Sequence, residues 1–430
     1  MSPNRLPDGV ASFLDTDLYK LTMQCAVLKF FPKVEVEYAF TNRTPHMRLS
    51  REAFKWLQEQ VAKLANIRLS QEELAFLREK CPFLHAEYLD FLQQLVLRPD
   101  EQVQMSFERV DGEYGDLHIT TKGLWVETIL YEIPLLALTS EAYFKFVDRD
   151  WSYDQQEERA YQKGVQLFQA GCIVSEFGSR RRRDLKTQDL ITSGLIRASE
   201  EGHPGKLTGS SNVFMAFKHG INPIGTVAHE WYMGIAAIMD DYENANELGL
   251  EYWMKTFGEG VLAIALTDTF GTPAFFRAFQ KQIPGSSVKT YAAVYTGIRQ
   301  DSGDPKDYVK MAADFYSSIG ISGKGLVFSD ALNTERCIEY KKIAEQHGFK
   351  PSFGVGTFFT NDFARLSNLA EKSKPLNIVI KLSRAGGRAA IKISDNIGKN
   401  TGDHATVEEV KRRLGYAERG WKEGDESHRW

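Results

Sequence analysis

"AAVYTGIRQDSGDP" (292–305), followed closely by "DYVKMAADFYSSIG" (307–320), carries the reading of the fold. An apolar run reaches Ile298, stops on Arg299 and Asp301, turns at Gly303 and enters a helix that Asp304 can cap and Pro305 can open. The same order recurs on either side. "GCIVSEFGSR" (171–180) leads into a helical "RRRRDLKTQDLITSGLIRAS" (180–199). "PIGTVAHEW" (223–231), "GVLAIALTDTFG" (260–271), "GKGLVFSDALN" (323–333) and "KPSFGVGTFFTND" (350–362) repeat the apolar run with a polar end. Strands alternating with helices build a parallel sheet. About six such units, each with reactive side chains at the end of its strand, predict an irregular, TIM-like α/β barrel whose site opens on that face. An open doubly wound sheet would gather its polar clusters at one switch point, whereas here they follow nearly every strand.

The chain before this rhythm is mixed. "VEVEYAFTNR" (34–43), "EQVQMSFERV" (101–110) and "GDLHITTKG" (115–123) read as strands. "SREAFKWLQEQVAKLAN" (50–66) and "SQEELAFLREKCPFL" (70–84) open on serines that can cap helices. "VETILYEIPLLALTSEAYFKFV" (126–147) is a long buried helix that Pro134 bends or interrupts. The expected division is an N-terminal α+β domain over 1–150 and a barrel domain with a C-terminal extension over 151–430, with room for a C-terminal hairpin to pack on the former. No linker fixes that boundary.

At 430 residues the chain can hold a large α/β domain and a smaller one. With 43% hydrophobic and 26% charged residues it is neither disordered nor fibrous. A formal net charge of −4 argues against a nucleic-acid or membrane-surface partner, so any anion site must be local. Cys25, Cys81, Cys172 and Cys337 form no CxxC pair, which fits a reducing compartment. No apolar run approaches roughly 18 residues, and the start lacks a signal-peptide core. The expected location is cytoplasmic or nuclear, without a membrane anchor.

Each polar cluster has a plain reading beside a functional one. In "RQDSGDP" (299–305), Ser302 and Gly303 precede a helix N-terminus that favours an anion, Arg299 offers a planar fork, and Asp301 suits ribose hydroxyls or hydrated Mg²⁺. The plain alternative is a well-capped helix. In "SEFGSRRRR" (175–183), Phe177 can stack on a ring, and Arg180, nearest the turn, can reach a phosphate. If the run is helical, at most two of its arginines face one ligand and the others form a solvated face. Gly356 and Thr357 of "FGVGT" (353–357) allow close backbone approach to phosphate, without the P-loop pattern. Asp330 of "FSDALN" (328–333) and Ser211 of "GSSNV" (209–213) read equally as caps. His229 is no zincin ligand, because Met233 stands where the second histidine would fall. It closes an expected strand at the rim, where imidazole can accept a phosphoryl group.

Taken in order, "LDTDLYK" (14–20), "YAFTNR" (38–43), "SEFGSRRRR", "GSSNV", "GTVAHEW" (225–231), "LTDTFGT" (266–272), "RQDSGDP", "FSDALN", "FGVGT" and "IKISDNIGKNTGD" (391–403) make the chain resemble the nicotinate phosphoribosyltransferase family along nearly its whole length. The resemblance implies a type II phosphoribosyltransferase barrel and a homodimer with active sites at the subunit interface. It implies transfer of phosphoribosyl from 5-phosphoribosyl 1-diphosphate to nicotinate, giving nicotinate mononucleotide and diphosphate in NAD salvage. ATP and Mg²⁺ take part, with His229 transiently phosphorylated. Tyr19, lent by the partner subunit, and Phe177 would sandwich the pyridine, and Arg299 and Thr226 would contact nicotinate or the ribose phosphate. Arg180, Asp301, Ser302, Gly303, Gly356 and Thr357 would surround the phosphates. Nicotinamide-using relatives carry aspartate where Ser211 stands, so Ser211 would favour the acid. A nicotinamide- or quinolinate-using enzyme and a catalytically inactive barrel are the rival readings.

Overall fold

The computed structural model describes residues 6–396 and 400–416. Two sheets organise it. The first is antiparallel and contains β1 (Glu35–Asn42), β2 (Leu49–Ser50), β3 (Val103–Asp111) and β4 (Tyr114–Leu124). The second is parallel, with β5 (Ile173–Glu176), β6 (Lys206–Ser210), β7 (Ile264–Leu266), β8 (Gly297–Gln300), β9 (Gly325–Phe328) and β10 (Lys350–Val355). Its order is β6-β5-β10-β9-β8-β7. A short pair, β11 (Phe363–Ala364) and β12 (Lys372–Ser373), follows, and then β13 (Ile378–Ala385) and β14 (Arg388–Ala389).

The last two strands leave the barrel and return to the first sheet, whose order is β14-β13-β1-β4-β2. The C-terminal hairpin β13–β14 thus packs with the N-terminal sheet, as the expected division left room for. The N-terminal segment reaches the other way: Leu18 N donates to Ser211 O and Val213 N to Thr16 O. Asp15 receives a buried two-pronged pair from Arg182 at 2.7 Å on each prong. These crossings weld the two parts and bring both sheets to one cavity.

Local sequence explains most elements. Ser50 caps the helix Arg51–Lys63, and Ser70 forms a capping box with Glu73 on the helix Gln71–Lys80. Pro134 interrupts nothing. It lies in the first turn of the helix Glu132–Phe146, where its missing N–H has no intrahelical partner to lose. The break falls earlier, in the 3₁₀ turn Ile129–Tyr131.

Two expectations fail. "PIGTVAHEW" forms a single bridge, Ser210 to Pro223, and then enters the helix His229–Met239. Pro223 lacks a donor, and Gly225 is pressed against Tyr19, whose backbone N would lie 3.1 Å from an added Cβ. The sixth barrel strand is instead "KLTGS" (206–210), where an added Cβ at Gly209 would lie 1.9 Å from Asn222 O. Only glycine permits that approach. The arginine run is not a continuous helix either. A 3₁₀ turn covers Ser179–Arg181, and the helix starts at Leu185 with Asp184 as its cap.

The helix His229–Met239 is apolar and almost wholly buried. At Gly234 an added Cβ would fall 2.4 Å from the Trp125 ring, so the helix seats directly on that indole. Trp125 also donates to Glu230 at 2.8 Å. Packing on one face thus fixes His229 at the helix's opening.

Candidate active site

A cavity of about 810 Å³ opens at the C-terminal ends of the barrel strands and is closed by β13 of the other sheet. Tyr19, Phe177, Arg180, Ser211, Thr226 and His229 line it, and so do Arg299, Asp301, Asp330, Gly356 and Thr357. Ser302 and Gly303 do not. They face a smaller hollow of about 290 Å³ behind the site. Ser302 is buried with its hydroxyl bonded to Asp268, and Gly303 N donates to Asn396 at 2.8 Å. The helix N-terminus expected to hold an anion is consumed by protein groups.

Charge inside the cavity opposes the charge of the chain. Nine Lys and Arg side chains line it against six Asp and Glu, although the whole chain carries −4. Such a basin attracts a polyanion locally.

One end of the basin is aromatic. Phe177 follows β5, and its ring lies on Gly354, where an added Cβ would come within 2.3 Å. Gly356 faces the Phe177 carbonyl, so an added Cβ there would lie 2.9 Å from its oxygen. The two glycines therefore seat Phe177. Tyr19 is already in place on the wall of its own chain's cavity, its hydroxyl accepting from Arg180 at 2.5 and 3.1 Å. The expectation that a partner lends this ring is corrected by the pairing of 16–18 with 211–213 within one chain. Beside it, Asp17 accepts from Ser179 at 2.6 Å and from Ser211 at 2.8 Å. Burial raises the Asp17 pKa from its ordinary value, although Arg180 and the two serines oppose that.

The arginines divide by environment. Arg180 faces the cavity, and Arg181 lines it. Arg182 and Arg183 are buried structural groups rather than a solvated face. Arg183 lies 3.7 Å over the Phe144 ring and 4.2 Å over Phe363 while donating to Asn361.

The other end is a knot of charge around His229. Its Nδ1 lies 3.0 Å from Thr269 Oγ1, and its Nε2 lies 2.9 Å from Asp301 Oδ2. Lys392 brings its ammonium to 2.8 Å from the same Nε2 and to 3.3 Å from Asp268. Arg299 donates to Asp301 Oδ1 at 3.0 Å and to Ser329 at 2.7 Å. Burial and the Lys392 charge push the His229 pKa down to about 4, against the pull of Asp268 and Asp301. Burial alone would raise Asp301, but Arg299, His229 and Lys392 outweigh it and hold the carboxyl well below its ordinary range. At neutral pH the ring is uncharged and the carboxylate ionised.

His229, Asp268 and Asp301 offer donor atoms within 4.8 Å of one another, the spacing of a metal triad. A resident divalent ion does not fit there, because the Lys392 ammonium fills the space between His229 and Asp268.

Asp268 and Thr269 of "LTDTFG" read in the sequence as a weak cluster that could equally be a cap or turn, and Lys392, Asp17, Glu132 and Lys381 carry no site reading there. Lys381 had a visible signal, a lone cation within the apolar run "NIVIKLS" (377–383).

Comparison with known proteins agrees with this geometry. The nicotinate phosphoribosyltransferase (NAPRTase) family matches residues 172–418, and the N-terminal domain of that family matches 14–140. A probable nicotinate phosphoribosyltransferase of Schizosaccharomyces pombe is 49% identical over 94% of this chain and 98% of its own. The nicotinate phosphoribosyltransferase of Saccharomyces cerevisiae is 46% identical over 98% of this chain and 99% of its own. A crystal structure of a putative nicotinate phosphoribosyltransferase from S. cerevisiae covers 96% of this chain and 100% of that one, with a TM-score of 0.91 at 45% identity. No helix among the described residues is long and apolar enough to cross a membrane. With both family models matched and relatives similar over nearly the whole chain in sequence and in fold, this chain belongs to the nicotinate phosphoribosyltransferase family and is an enzyme of that kind.

Proposed function

We propose that this enzyme joins nicotinate to 5-phosphoribosyl 1-diphosphate, releases diphosphate, and couples the reaction to ATP through phosphorylation of His229, a step of NAD salvage. The observation that carries the coupling is the state of that imidazole: neutral, buried in the cavity wall, with Thr269 on one nitrogen and Asp301 and Lys392 on the other. If Nδ1 donates to Thr269, Nε2 keeps a lone pair for the γ-phosphoryl group. Lys392 then pairs with the incoming phosphate. Departure of diphosphate builds negative charge that Arg299 meets, and the pyridine nitrogen attacks C1 while Phe177 and Tyr19 hold its ring. Mg²⁺ enters as part of the diphosphate substrate. Ser302 and Gly303 are left out of the phosphate site, since their polar groups are already engaged. A homodimer belongs to the same proposal, with Tyr19 and Phe177 of each site supplied by one chain.

Incubation with γ-labelled ATP should give an acid-labile, alkali-stable label that is lost in His229→Ala. Because the ring's pKa is depressed to about 4, the neutral nucleophile is present above that pH and is lost as pH falls through it. Labelling should therefore stay level from pH 8 to roughly pH 5, instead of dropping near the ordinary histidine value of about 6.5. Label retained by His229→Ala would refute the coupling.

Ser211 is proposed to favour the acid over the amide. In Ser211→Asp a second carboxylate would face Asp17, whose side-chain donors among the described residues are Ser179 and Ser211. The kcat/KM for nicotinate should fall by roughly 10–100-fold, with a smaller loss for nicotinamide. Equal losses for the two pyridines in steady-state assays would remove Ser211 from the specificity argument.

A further inference from the structure

Lys381 sits on β13, directly opposite Ala39 of β1. That small partner leaves the lysine side chain room on the face that closes the cavity. Lys381 is half-buried, lines the cavity, and its amine makes no hydrogen bond or ion pair among the described residues. The other buried lysine of this wall, Lys392, is committed to His229 and Asp268. Lys381 is thus an uncommitted amine inside a pocket rich in cations, with Phe177 and Tyr19 also in its lining.

We propose that Lys381 is a covalent capture site for phosphorylated aldehydes, which enter the cavity by their phosphate and close reversibly on the amine as an imine. The Nζ lone pair attacks the carbonyl carbon, a C=N bond forms, and the carbonyl oxygen departs as water with two protons. Hydrolysis reverses the step without any oxidant or reductant. The cavity selects the phosphate, and a planar ring on the aldehyde adds stacking. The adduct fills the substrate space and blocks turnover.

The electrostatics favour the reactive form. Burial, Arg180, Lys392 and Arg43 push the Lys381 pKa down to about 7, with Glu132 alone opposing them. An ordinary lysine near 10.4 has only about 0.1% free amine at pH 7.4, whereas a group near 7 has most of it. This inference rests on the cavity and its cations, and it stands whether or not His229 is phosphorylated.

The probe is pyridoxal 5′-phosphate, added to the full chain at pH 7.4 and followed by borohydride reduction and peptide mass spectrometry. Lys381 should be labelled about tenfold or more faster than the exposed Lys310. Inorganic diphosphate should protect Lys381 and leave Lys310 unprotected. Activity should fall in step with the label at Lys381 and return on dilution if borohydride is omitted. Pyridoxal without its phosphate should label Lys381 poorly. Lys381→Arg and Lys381→Met, each checked for native circular dichroism, should lose the protectable label. Reversible inhibition with no reducible adduct would overturn the proposal in favour of simple phosphate binding. A dominant label on Lys392 or Lys374, or label at Lys381 that diphosphate does not suppress, would overturn it too.

Discussion

Arg299→Ala is expected to lower kcat/KM by about 10²–10³-fold, the usual loss when one oriented donor is removed from a site of developing negative charge. Arg299 is held by three acceptors, Ser329 Oγ at 2.7 Å, Asp301 Oδ1 at 3.0 Å and Val227 O at 3.4 Å, so its plane is fixed before substrate arrives. Preorganisation of this kind acts on the transition state without a reorganisation cost. Arg299→Lys should recover only part of the loss, because an ammonium lacks the planar fork whose three nitrogens reach Ser329, Asp301 and Val227 O together. Two routes for the effect separate experimentally. If Arg299 touches the diphosphate, turnover without ATP falls as far as turnover with it. If it acts only by holding Asp301 beside His229, labelling by γ-labelled ATP falls while ATP-independent turnover is spared. The second pattern would remove Arg299 from the group that meets leaving-group charge.

The same loop marks where sequence suffices and where it stops. Asp304 does cap its helix, accepting from Lys306 N at 2.7 Å and Asp307 N at 3.3 Å, because capping is local chemistry. The fate of Gly303 is not local. Its N–H is taken by Asn396, which lies 93 positions later in the chain and reaches the loop only after folding. The arginine run divides on the same principle. Arg180 is legible from its distance to the turn, but the run of arginines does not show that the helix waits for Asp184 to cap it. With the helix delayed, Arg182 and Arg183 turn inward to Asp15 and to an aromatic cage instead of pointing to solvent. The barrel rhythm was legible for five of its strands because each is an apolar run. "KLTGS" was not, since a lysine, a threonine and a glycine mask it, and "PIGTV" pairs only at Pro223, which lacks a donor, before Gly225 closes on Tyr19. His229 was correctly placed at the rim but opens a helix rather than closing a strand.

Lys20→Met should destabilise the fold by about 3–5 kcal/mol, the cost of breaking a buried ion network on one side. The Lys20 ammonium is wholly buried and pairs with both Glu132 and Glu230. Burial would lower its pKa, yet the two carboxylates outweigh burial and raise it. Glu230 also accepts from Tyr38 at 2.6 Å and Trp125 at 2.8 Å, and neither of those groups supplies a full positive charge. Once the lysine is gone, Glu132 keeps Arg180 at 3.7 Å as its ion-pair partner among the described residues and the neutral Tyr19 hydroxyl at 3.5 Å. The pH dependence gives the argument its sign. Burial opposes ionisation of Glu132, but Lys20, Arg180 and Lys381 bring its pKa down to about 2, below the free-chain value of 4.5. Its stabilisation is therefore complete above about pH 4.5 and is lost as pH falls toward 2. Without Lys20 that pKa rises, so protonation relieves the strain and the variant's deficit should shrink between pH 7 and pH 5. Urea denaturation at the two pH values measures this, and Lys20→Met combined with Glu230→Gln should recover part of the loss. A deficit that is constant with pH would mean that lost packing, not unpaired charge, explains the change. The network also carries the site, because Glu132 and Arg180 together hold the Tyr19 hydroxyl. A variant that still folds at pH 5 should accordingly show a raised KM for nicotinate with Phe177 untouched, linking a buried lysine to the aromatic clamp through one carboxylate.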